Sequence, residues 1–455
     1  MTTYLQNTIF ADEPPVISFH CTDQFIRDRP IVNIMSQSKR FSRTLRSFKS
    51  IDNDQNVRSE SKFLLMTTTV TASYQKQIEQ LGFGQYFNRI QGNDFVSKQN
   101  LASAVRQQQH FFKDTNTYYN IHPKTFLIPQ EKKELLKQFQ NQYYIQKPDC
   151  GSKGQGITIA NNLLDFDLTQ ESVIQEYEST MLLNGHKFDV RIHILITSID
   201  PFICYIYKEG FVRIAKQLYA QPTALNQNFT QTHLTNIAVN NPESNDSFMN
   251  DSGDPCLIRL TDFFLIYPHL KKSVEDLVNQ TMVTIHPNIL KQAQLCSTRL
   301  HEYPKTTFQV FGLDVYFTPN GEAKLFEINR NPVLKSISNI HKEIQGQEIL
   351  SDSLELLGLR INLDKNNKII HPKGCKDDPR IYRWKGEVEY SHTIQQLKTN
   401  DFNINLLTEF EKRAVLQIKD EATRLGGYQR IKFENMLEQF REPSYMTYLM
   451  YTCIQ

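Results

Sequence analysis

The most constraining feature of this 455-residue chain is a run of ten residues, 186–195, in which apolar and charged side chains alternate. Positions 188, 190, 192 and 194 are apolar, and the opposite parity carries Lys187, Asp189, Arg191 and His193. Alternation with a period of two predicts a half-buried β-strand. A turn at 198–201 and a returning strand that brings in Arg213 are predicted to follow. A face with charges of both signs suits a phosphate or carboxylate ligand, because guanidinium and ammonium groups hold such anions through charge-assisted hydrogen bonds.

Composition limits the class of protein. Hydrophobic residues make up 39% and charged residues 22%, and the net charge of +2 excludes bulk polybasic binding of nucleic acid. The 7 cysteines are scattered without a CxxC pair, which argues against a disulfide scaffold or a zinc finger. The N-terminus lacks the regions of a signal peptide, and no apolar run approaches the length of a membrane span. The sequence therefore predicts a cytoplasmic protein without a membrane or nucleic-acid partner.

A glycine-rich loop at 149–156 lies between two predicted strands, 143–148 and 157–160. Lys147 ends the first strand, and the loop holds three glycines together with Lys153. Glycine lets backbone N–H groups close around an oxyanion. The loop has neither the spacing of a P-loop nor that of a dinucleotide-binding turn. A flexible turn is the alternative, and the two lysines favour a flap over phosphates.

A second informative stretch, 308–329, predicts a β-hairpin around Asn320-Gly321. If that pair forms a two-residue loop, Asp314 lies directly opposite Glu327, with Cβ atoms about 5 Å apart. Opposed carboxylates destabilise a sheet unless a cation lies between them, and magnesium commonly takes carboxylates plus substrate phosphates. Asn329 shares the face of Glu327 and offers another oxygen. An exposed hairpin with two solvated acids is the alternative, and the apolar residues that flank both acids count against it.

Several motifs occur together in one order along the chain. They are IQKP at 145–148, GSKGQGI at 151–157, VIQEY at 173–177, KFDVR at 187–191, EGFVR at 209–213, HLTN at 233–236, FGLD at 311–314 and EIN at 327–329. Over about residues 60–360 they resemble the tubulin-tyrosine-ligase-like amino-acid ligases, a family with the ATP-grasp fold. The combination of KFDxR, EGxxR and HLTN is specific to that family.

The resemblance implies a mixed α/β (α+β) ATP-grasp fold. Antiparallel sheets would hold ATP between a central and a C-terminal subdomain, next to a small N-terminal α/β subdomain. The expected divisions are a poorly patterned N-terminal extension with a basic run at 1–60, the N-terminal subdomain at 61–141, the central subdomain with the phosphate flap at 142–180, the C-terminal subdomain with the catalytic and metal residues at 181–360, and a partly basic extension at 361–455.

The resemblance also implies roles for particular residues, carried over position by position. The residues expected to bind ATP are Lys147, Lys153, Gly154, Gly156, Gln175, Glu176, Tyr177, Lys187 and Asp189. The backbone around Gln175–Tyr177 would hold the adenine. Arg191 and Arg213 would hold the γ-phosphate and the reacting carboxylates, and Asn236 would help to position them. Asp314, Glu327 and Asn329 would bind Mg²⁺, which agrees with the hairpin geometry inferred from the residues alone.

The implied reaction is ATP-dependent ligation through an acyl phosphate, and the leading hypothesis is a tubulin polyglutamylase. It would add free glutamate to glutamate side chains of acidic tubulin tails, in the cytoplasm on the cytoskeleton, including the cilium or basal body, with accessory subunits as further partners. A glycine-adding ligase of the same family and a non-catalytic microtubule-binding adaptor remain open. So does an ATP-grasp ligase that acts on another acceptor. Basic runs at 36–50 and 362–385 would attract the acidic tail.

Overall fold

The computed structural model describes the protein in several stretches. These are residue 90 and residues 96–113, 119–149, 154–223, 230–240, 255–296, 307–332, 346–357, 389–441 and 443–453, with the backbones of six short strands outside them. In the described part of the chain, no helix is both long and apolar enough to span a membrane.

Strands and helices alternate along the chain without a simple repeat. The strands are β1 Ile17–Cys21, β2 Phe41–Thr44, β3 Phe63–Met66, β4 Gln85–Phe87, β5 Thr125–Ile128, β6 Tyr144–Pro148, β7 Thr158–Ala160, β8 Ser172–Glu176, β9 Leu182–Leu183, β10 His186–Ser198, β11 Ile203–Tyr207, β12 Phe211–Leu218, β13 Leu257–Arg259, β14 Gln309–Phe317, β15 Ala323–Asn329, β16 Asn362–Leu363, β17 Ile369–Ile370 and β18 Tyr428–Arg430. The helices are α1 Lys98–Phe111, α2 Lys132–Gln138, α3 Thr230–His233, α4 Ile237–Asn240, α5 Leu260–Ile266, α6 Pro268–Cys296, α7 Gly346–Leu356, α8 Ile394–Lys398, α9 Glu409–Glu421 and α10 Tyr445–Cys453.

Strand β10 is the centre of an antiparallel sheet of 8 strands. Its apolar residues at 188, 190, 192 and 194 are at most 1% exposed and belong to the main hydrophobic core. Along one edge, β10 pairs with β14. Along the other edge it pairs with β12 near its start and with β11 near its end. The predicted return of the chain is confirmed, as two strands with an interruption at 208–210. The strand was expected to be half-buried, yet Lys187, Asp189 and His193 are buried too. Asp189 is covered by Arg213, Lys187 by Tyr177, and His193 by the ring of Phe211.

The hairpin of β14 and β15 places Asp314 opposite Glu327, as the sequence predicted. Its loop is different, because Phe317 pairs with Ala323 and the amide of Thr318 donates to the carbonyl of Glu322 at 2.8 Å. The loop therefore has three residues, 319–321, rather than the two predicted. Opposite Val315 lies Leu325 rather than Phe326, so a β-bulge at Phe326 restores the expected pairing.

A second antiparallel sheet, of 4 strands in the order β5-β8-β6-β7, has a smaller hydrophobic core of its own. The strands predicted around the IQKP, glycine-rich and VIQEY motifs form it, with ends that differ by one or two residues. A cleft lies between this sheet and the larger one. The mixed α/β architecture with two antiparallel sheets agrees with the ATP-grasp fold.

The first 90 residues contribute a small parallel sheet. It has 4 strands in the order β2-β1-β3-β4. Strand β1 pairs with both β2 and β3, so the sheet joins residues on the two sides of the boundary expected at residue 60. The pairing of these strands therefore crosses the domain boundary that was expected at residue 60.

The C-terminal residues, expected to form an extension, complete the main core. Strand β18 pairs with β11 at the edge of the large sheet. Helix α10 is buried at every position from 445 to 451, and the hydroxyl of Thr447 accepts a hydrogen bond from the amide of Phe202 at 3.0 Å. Gly427 lies before β18, where an added Cβ would be 2.6 Å from the ring of Tyr207. Its amide donates to Asp352 at 2.8 Å.

We expect Gly427→Ala to lower the free energy of unfolding by about 1–3 kcal/mol, because the Tyr207 ring is buried and has little room to move. Chemical denaturation of the purified variant measures this loss. Gln429→Ala, at an exposed position of the same strand, is the matched control and should change stability by no more than about 0.5 kcal/mol. Equal stabilities of the two variants would contradict the close packing of Gly427 against the ring of Tyr207.

Candidate functional site

The cleft between the two antiparallel sheets contains about 920 Å³ of space, part of which is open to solvent. Charged side chains of the large sheet form one wall, and the small sheet and its glycine-rich loop form the other. The predicted site residues that line the cleft are Lys147, Gly154, Gln175, Glu176, Tyr177, Lys187, Asp189, Arg213, Asn236, Asp314 and Glu327.

Arg213 lies between two buried carboxylates at the floor of the cleft. Its Nε and Nη2 donate to Asp189 at 2.6 and 2.5 Å, and Nη2 is also 2.9 Å from Oδ2 of Asp314. The hydroxyl of Thr235, from the HLTN motif, donates to Asp189 at 2.7 Å. Burial alone would lower the pKa of Arg213, but the two carboxylates outweigh burial and raise it. The guanidinium is therefore permanently charged and fixed in one orientation.

Asp314 accepts hydrogen bonds from three side chains. Arg191 donates through Nε at 2.5 Å and through Nη2 at 3.1 Å, and the amide of Asn329 donates to Oδ2 at 3.1 Å, in addition to Arg213. Burial would raise the pKa of Asp314, yet the two arginines hold it well below its ordinary value. A carboxylate has about four acceptor positions. Three of these donors meet on Oδ2 and only Nε of Arg191 reaches Oδ1, so Oδ2 is fully occupied and Oδ1 keeps room for one more partner.

Glu327 and Asn329 complete the predicted metal donors. The amide of Asn329 also lies 3.5 Å from Glu327, and the ammonium of Lys98 lies 3.9 Å from the same carboxylate. In the stretches that the structure describes, no three His, Cys, Asp or Glu side chains are grouped to hold a metal ion. The donor set here is two carboxylates and one amide. Such oxygen donors fit Mg²⁺ chemically, since it takes one or two protein carboxylates and completes its shell with water and phosphate.

Two lysines of the cleft have lowered pKa values. Burial is the main cause for both, and it lowers the pKa of Lys147 to about 8 and that of Lys187 to about 7. Lys98 lowers the pKa of Lys147 further, and Lys147 lowers that of Lys187, whereas neighbouring carboxylates act in the opposite direction. Lys187 donates to the hydroxyl of Tyr177 at 2.6 Å. A bound polyanion would favour the charged form of both lysines.

The glycine-rich loop lies against the HLTN segment across the cleft. Gly154 has a φ of +77°, and an added Cβ would be 3.1 Å from Leu234 and 3.2 Å from Val239. Glycine is needed there for its left-handed backbone and for this close approach. Gly156 belongs to the same turn but does not line the cleft, and Lys153 lies outside the described residues.

The backbone donors of the VIQEY segment are already committed to the sheet. The amide of Glu176 donates to the carbonyl of Lys124 at 3.0 Å, and that of Tyr177 donates to Tyr143 at 2.9 Å. The side chain of Gln175 contacts His122 and Thr125 at 3.0 Å each. The predicted binding of adenine by this backbone would therefore use its carbonyl groups rather than these two amides.

The structure brings most of the predicted site residues together. Arg191 and Asn329 are held beside the cleft through Asp314. Sequence reasoning missed Lys98, Glu178, Tyr316 and Phe326, all of which line the cleft. Lys98 is the first residue of helix α1, far from the motifs, and Phe326 lies in the β-bulge. No local sequence pattern therefore indicated that either residue would line the cleft. The side chains of the two basic runs lie outside the described residues.

Comparison with known proteins identifies relatives of this chain. The model of the tubulin-tyrosine ligase family matches residues 39–368. Tubulin polyglutamylase TTLL7 of Xenopus tropicalis is 27% identical over 355 residues, which cover 73% of this chain and 38% of that protein. Tubulin polyglutamylase ttll6 of Danio rerio is 28% identical over 60% of this chain and 36% of that protein. Human tubulin polyglutamylase TTLL6 is 27% identical over 66% of this chain and 34% of that protein. The chain therefore spans less than half the length of each of these relatives.

We expect Arg213→Met to destabilise the fold by about 3–5 kcal/mol, because it leaves Asp189 and Asp314 buried without their shared cation. Lys272→Met removes an exposed helix ion pair with Asp276 and is the matched control, with an expected effect of no more than about 1 kcal/mol. Urea unfolding of both variants measures the difference. An Arg213→Met protein as stable as the control would contradict the structural role of the network.

Proposed function

This chain belongs to the tubulin-tyrosine ligase family, and we propose that it is an ATP-dependent ligase that adds glutamate to glutamate side chains of tubulin tails. The observation that carries the proposal is the convergence in one cleft of Lys147, Lys187 and Arg213 with Asp314 and Glu327. Ligation of a carboxylate to an amine by ATP needs cations for the phosphates and carboxylates for a metal. The names of the relatives support glutamate and tubulin as the substrates.

ATP would bind with its phosphates against Lys147, Lys187 and the glycine-rich loop, including Lys153, Gly154 and Gly156. The carbonyl groups around Gln175–Tyr177 would face the base. The lowered pKa values of both cleft lysines support this placement, because a triphosphate offsets the cost of holding two ammonium groups in a partly dry site. Asp189 would help to orient the nucleotide while it holds Arg213.

Asp314, Glu327 and Asn329 would hold Mg²⁺, which neutralises charge on the phosphates when bound. Oδ1 of Asp314 receives only Nε of Arg191, so it is the oxygen that keeps a position for the cation. Arg191 is the donor that can leave with least loss elsewhere, since in the described part of the chain its side-chain hydrogen bonds are with Asp314, whereas Arg213 also holds Asp189. An Arg191 released in this way would be available to an anionic substrate.

The proposed reaction has two steps. A side-chain carboxylate of the acceptor attacks the γ-phosphorus of ATP, forming an acyl phosphate with ADP as the leaving group. The amine of the free amino acid then attacks the acyl carbon, phosphate leaves, and the amine loses a proton to solvent. Arg191, Arg213 and Asn236 would hold the anionic groups in place, so the site acts by orientation and by charge neutralisation.

Microtubules, as the source of acidic tails, would be the macromolecular partner, and the site of action would be the cytoplasmic cytoskeleton. Purified protein incubated with Mg-ATP, microtubules and either labelled glutamate or labelled glycine tests this proposal. Label from glutamate in the tubulin band is expected. Label from glycine instead would make the chain a glycine-adding ligase, and no label together with no ATP binding would favour the adaptor. ATP binding without label would direct the search to another acceptor or to accessory subunits.

We expect Glu327→Gln to lower the ligation rate on the order of 100-fold or more, because it removes a metal-binding carboxylate while keeping the shape of the side chain. Glu327 is partly exposed, so thermal unfolding should stay close to that of the unmodified protein. Glu322→Gln, an exposed change directly after the loop of the same hairpin, is the matched control and should retain full activity. Normal turnover by Glu327→Gln would remove the proposed metal site.

The affinity for ATP should fall as the pH rises through about 7 and about 8. An anion needs charged lysines, and above these pKa values Lys187 and then Lys147 are neutral in the free protein. A single group gives at most a tenfold loss per pH unit. Titration between pH 6 and 9 spans both pKa values, and ionisation of the terminal phosphate, whose second pKa is about 6, would act in the opposite direction by raising the affinity. Lys187→Met should remove the step near pH 7, and an affinity that is flat across this range in both proteins would contradict the assignment.

A further inference from the structure

Glu178 has no role in the reaction described above, yet it lines the cleft directly after strand β8. The ammonium of Lys324 lies 3.1 and 3.0 Å from its two carboxylate oxygens, and the hydroxyl of Tyr316 donates to Oε2 at 2.7 Å. Lys324 and Tyr316 are 5% and 1% exposed. These three residues, the Glu178 triad, form a buried polar cluster whose carboxylate reaches the cleft.

The carboxylate of Glu178 keeps capacity for one more donor. Three hydrogen bonds reach it from within the protein, and a carboxylate has about four acceptor positions. Its side chain is 25% exposed, whereas that of Lys324 is 6% exposed, so Glu178 is the member of the triad open to a ligand. Lys324 neutralises its charge. The remaining position therefore suits a neutral hydrogen-bond donor rather than a cation.

The surroundings of the triad suit a nucleobase. Tyr316 and Phe326 stack with ring centroids 4.2 Å apart and planes inclined by 22°. Pro123 and Ile145 add apolar surface to the same cleft. Aromatic and aliphatic walls with a few placed polar groups are typical of sites for flat heterocycles. Phosphates would be drawn instead to the lysines and to Arg213, which leaves the nucleoside next to Glu178.

We propose that Glu178 accepts a hydrogen bond from the nucleoside of the bound nucleotide, with the exocyclic amine of adenine as the expected donor. The proposal rests on the proposed function, which places ATP in this cleft. Lys324 and Tyr316 act as positioning residues that orient the carboxylate. A ribose hydroxyl is the other neutral donor that ATP offers, and it has the same hydrogen-bond chemistry.

Binding constants for ATP, purine riboside triphosphate, 2′-deoxy-ATP and 3′-deoxy-ATP test the proposal, measured on the whole chain by displacement of a fluorescent nucleotide. Purine riboside triphosphate lacks only the amine. The unmodified protein should bind it roughly 10- to 100-fold more weakly than ATP, because a hydrogen bond to a charged group is lost. In the double variant Glu178→Leu, Lys324→Met the two affinities should become equal. The double change avoids leaving Lys324 buried without its partner.

Glu322→Gln, at an exposed position of the same hairpin outside the triad, is the matched control and should keep the preference for ATP. A different outcome is that the double variant loses a preference, present in the unmodified protein, for ATP over one of the two deoxynucleotides. In that case a ribose hydroxyl is the donor, and the proposed hydrogen bond between Glu178 and the nucleoside is still supported. If every preference survives in the double variant, the proposal for Glu178 is overturned while the nucleotide site remains. If the unmodified protein binds none of the four nucleotides, the proposed function fails, and this inference fails with it.

Discussion

The buried ion pairs of the large sheet are the constraint on which the rest of the structure depends. An unpaired charge in such a place costs several kcal/mol, so each must find a partner of opposite sign. In the observed register, Asp189 lies directly opposite Arg213 on one neighbouring strand, and Arg191 lies directly opposite Asp314 on the other. Arg213 also reaches Asp314 and joins the two pairs. A slip of one residue would turn these charges into the hydrophobic core, so electrostatics and packing favour the same register.

The same network prepares the cleft for anions. Its arginines are charged and oriented before any ligand arrives, and preorganised charges cost no reorganisation during a reaction. Asp314 is the exception, because three donors of the protein meet on its Oδ2 and Nε of Arg191 reaches its Oδ1. A cation bound to Oδ1 would compete with Arg191 for the carboxylate. We propose that metal and anionic substrate would favour each other's binding, since each would take one partner of the Arg191–Asp314 pair.

The sequence predicted which charged residues meet in the cleft better than it predicted how the strands bring them together. Alternation around Asp189 identified the central strand, and the facing of Asp314 and Glu327 followed from one hairpin. That pairing was correct through two compensating differences, a three-residue loop and the bulge at Phe326. Neither is visible in the Asn320-Gly321 pair, which favours a shorter loop. Strand β18 and helix α10 looked like an extension because their partners lie more than 200 residues away, beyond the reach of any local period. Glu178 was missed for a similar reason, because Tyr316 and Lys324 reach it from another hairpin.

We propose that this cleft activates a carboxylate with ATP, and the transfer of an oxygen atom tests that reaction. An acidic acceptor peptide labelled with ¹⁸O in its glutamate side chains would be incubated with the protein, Mg-ATP and glutamate, and the released phosphate would be examined by mass spectrometry. Each ligation should leave one ¹⁸O atom in the phosphate, because the acceptor oxygen attacks the γ-phosphorus. Ligation that releases phosphate without ¹⁸O would show that the acceptor carboxylate is not phosphorylated.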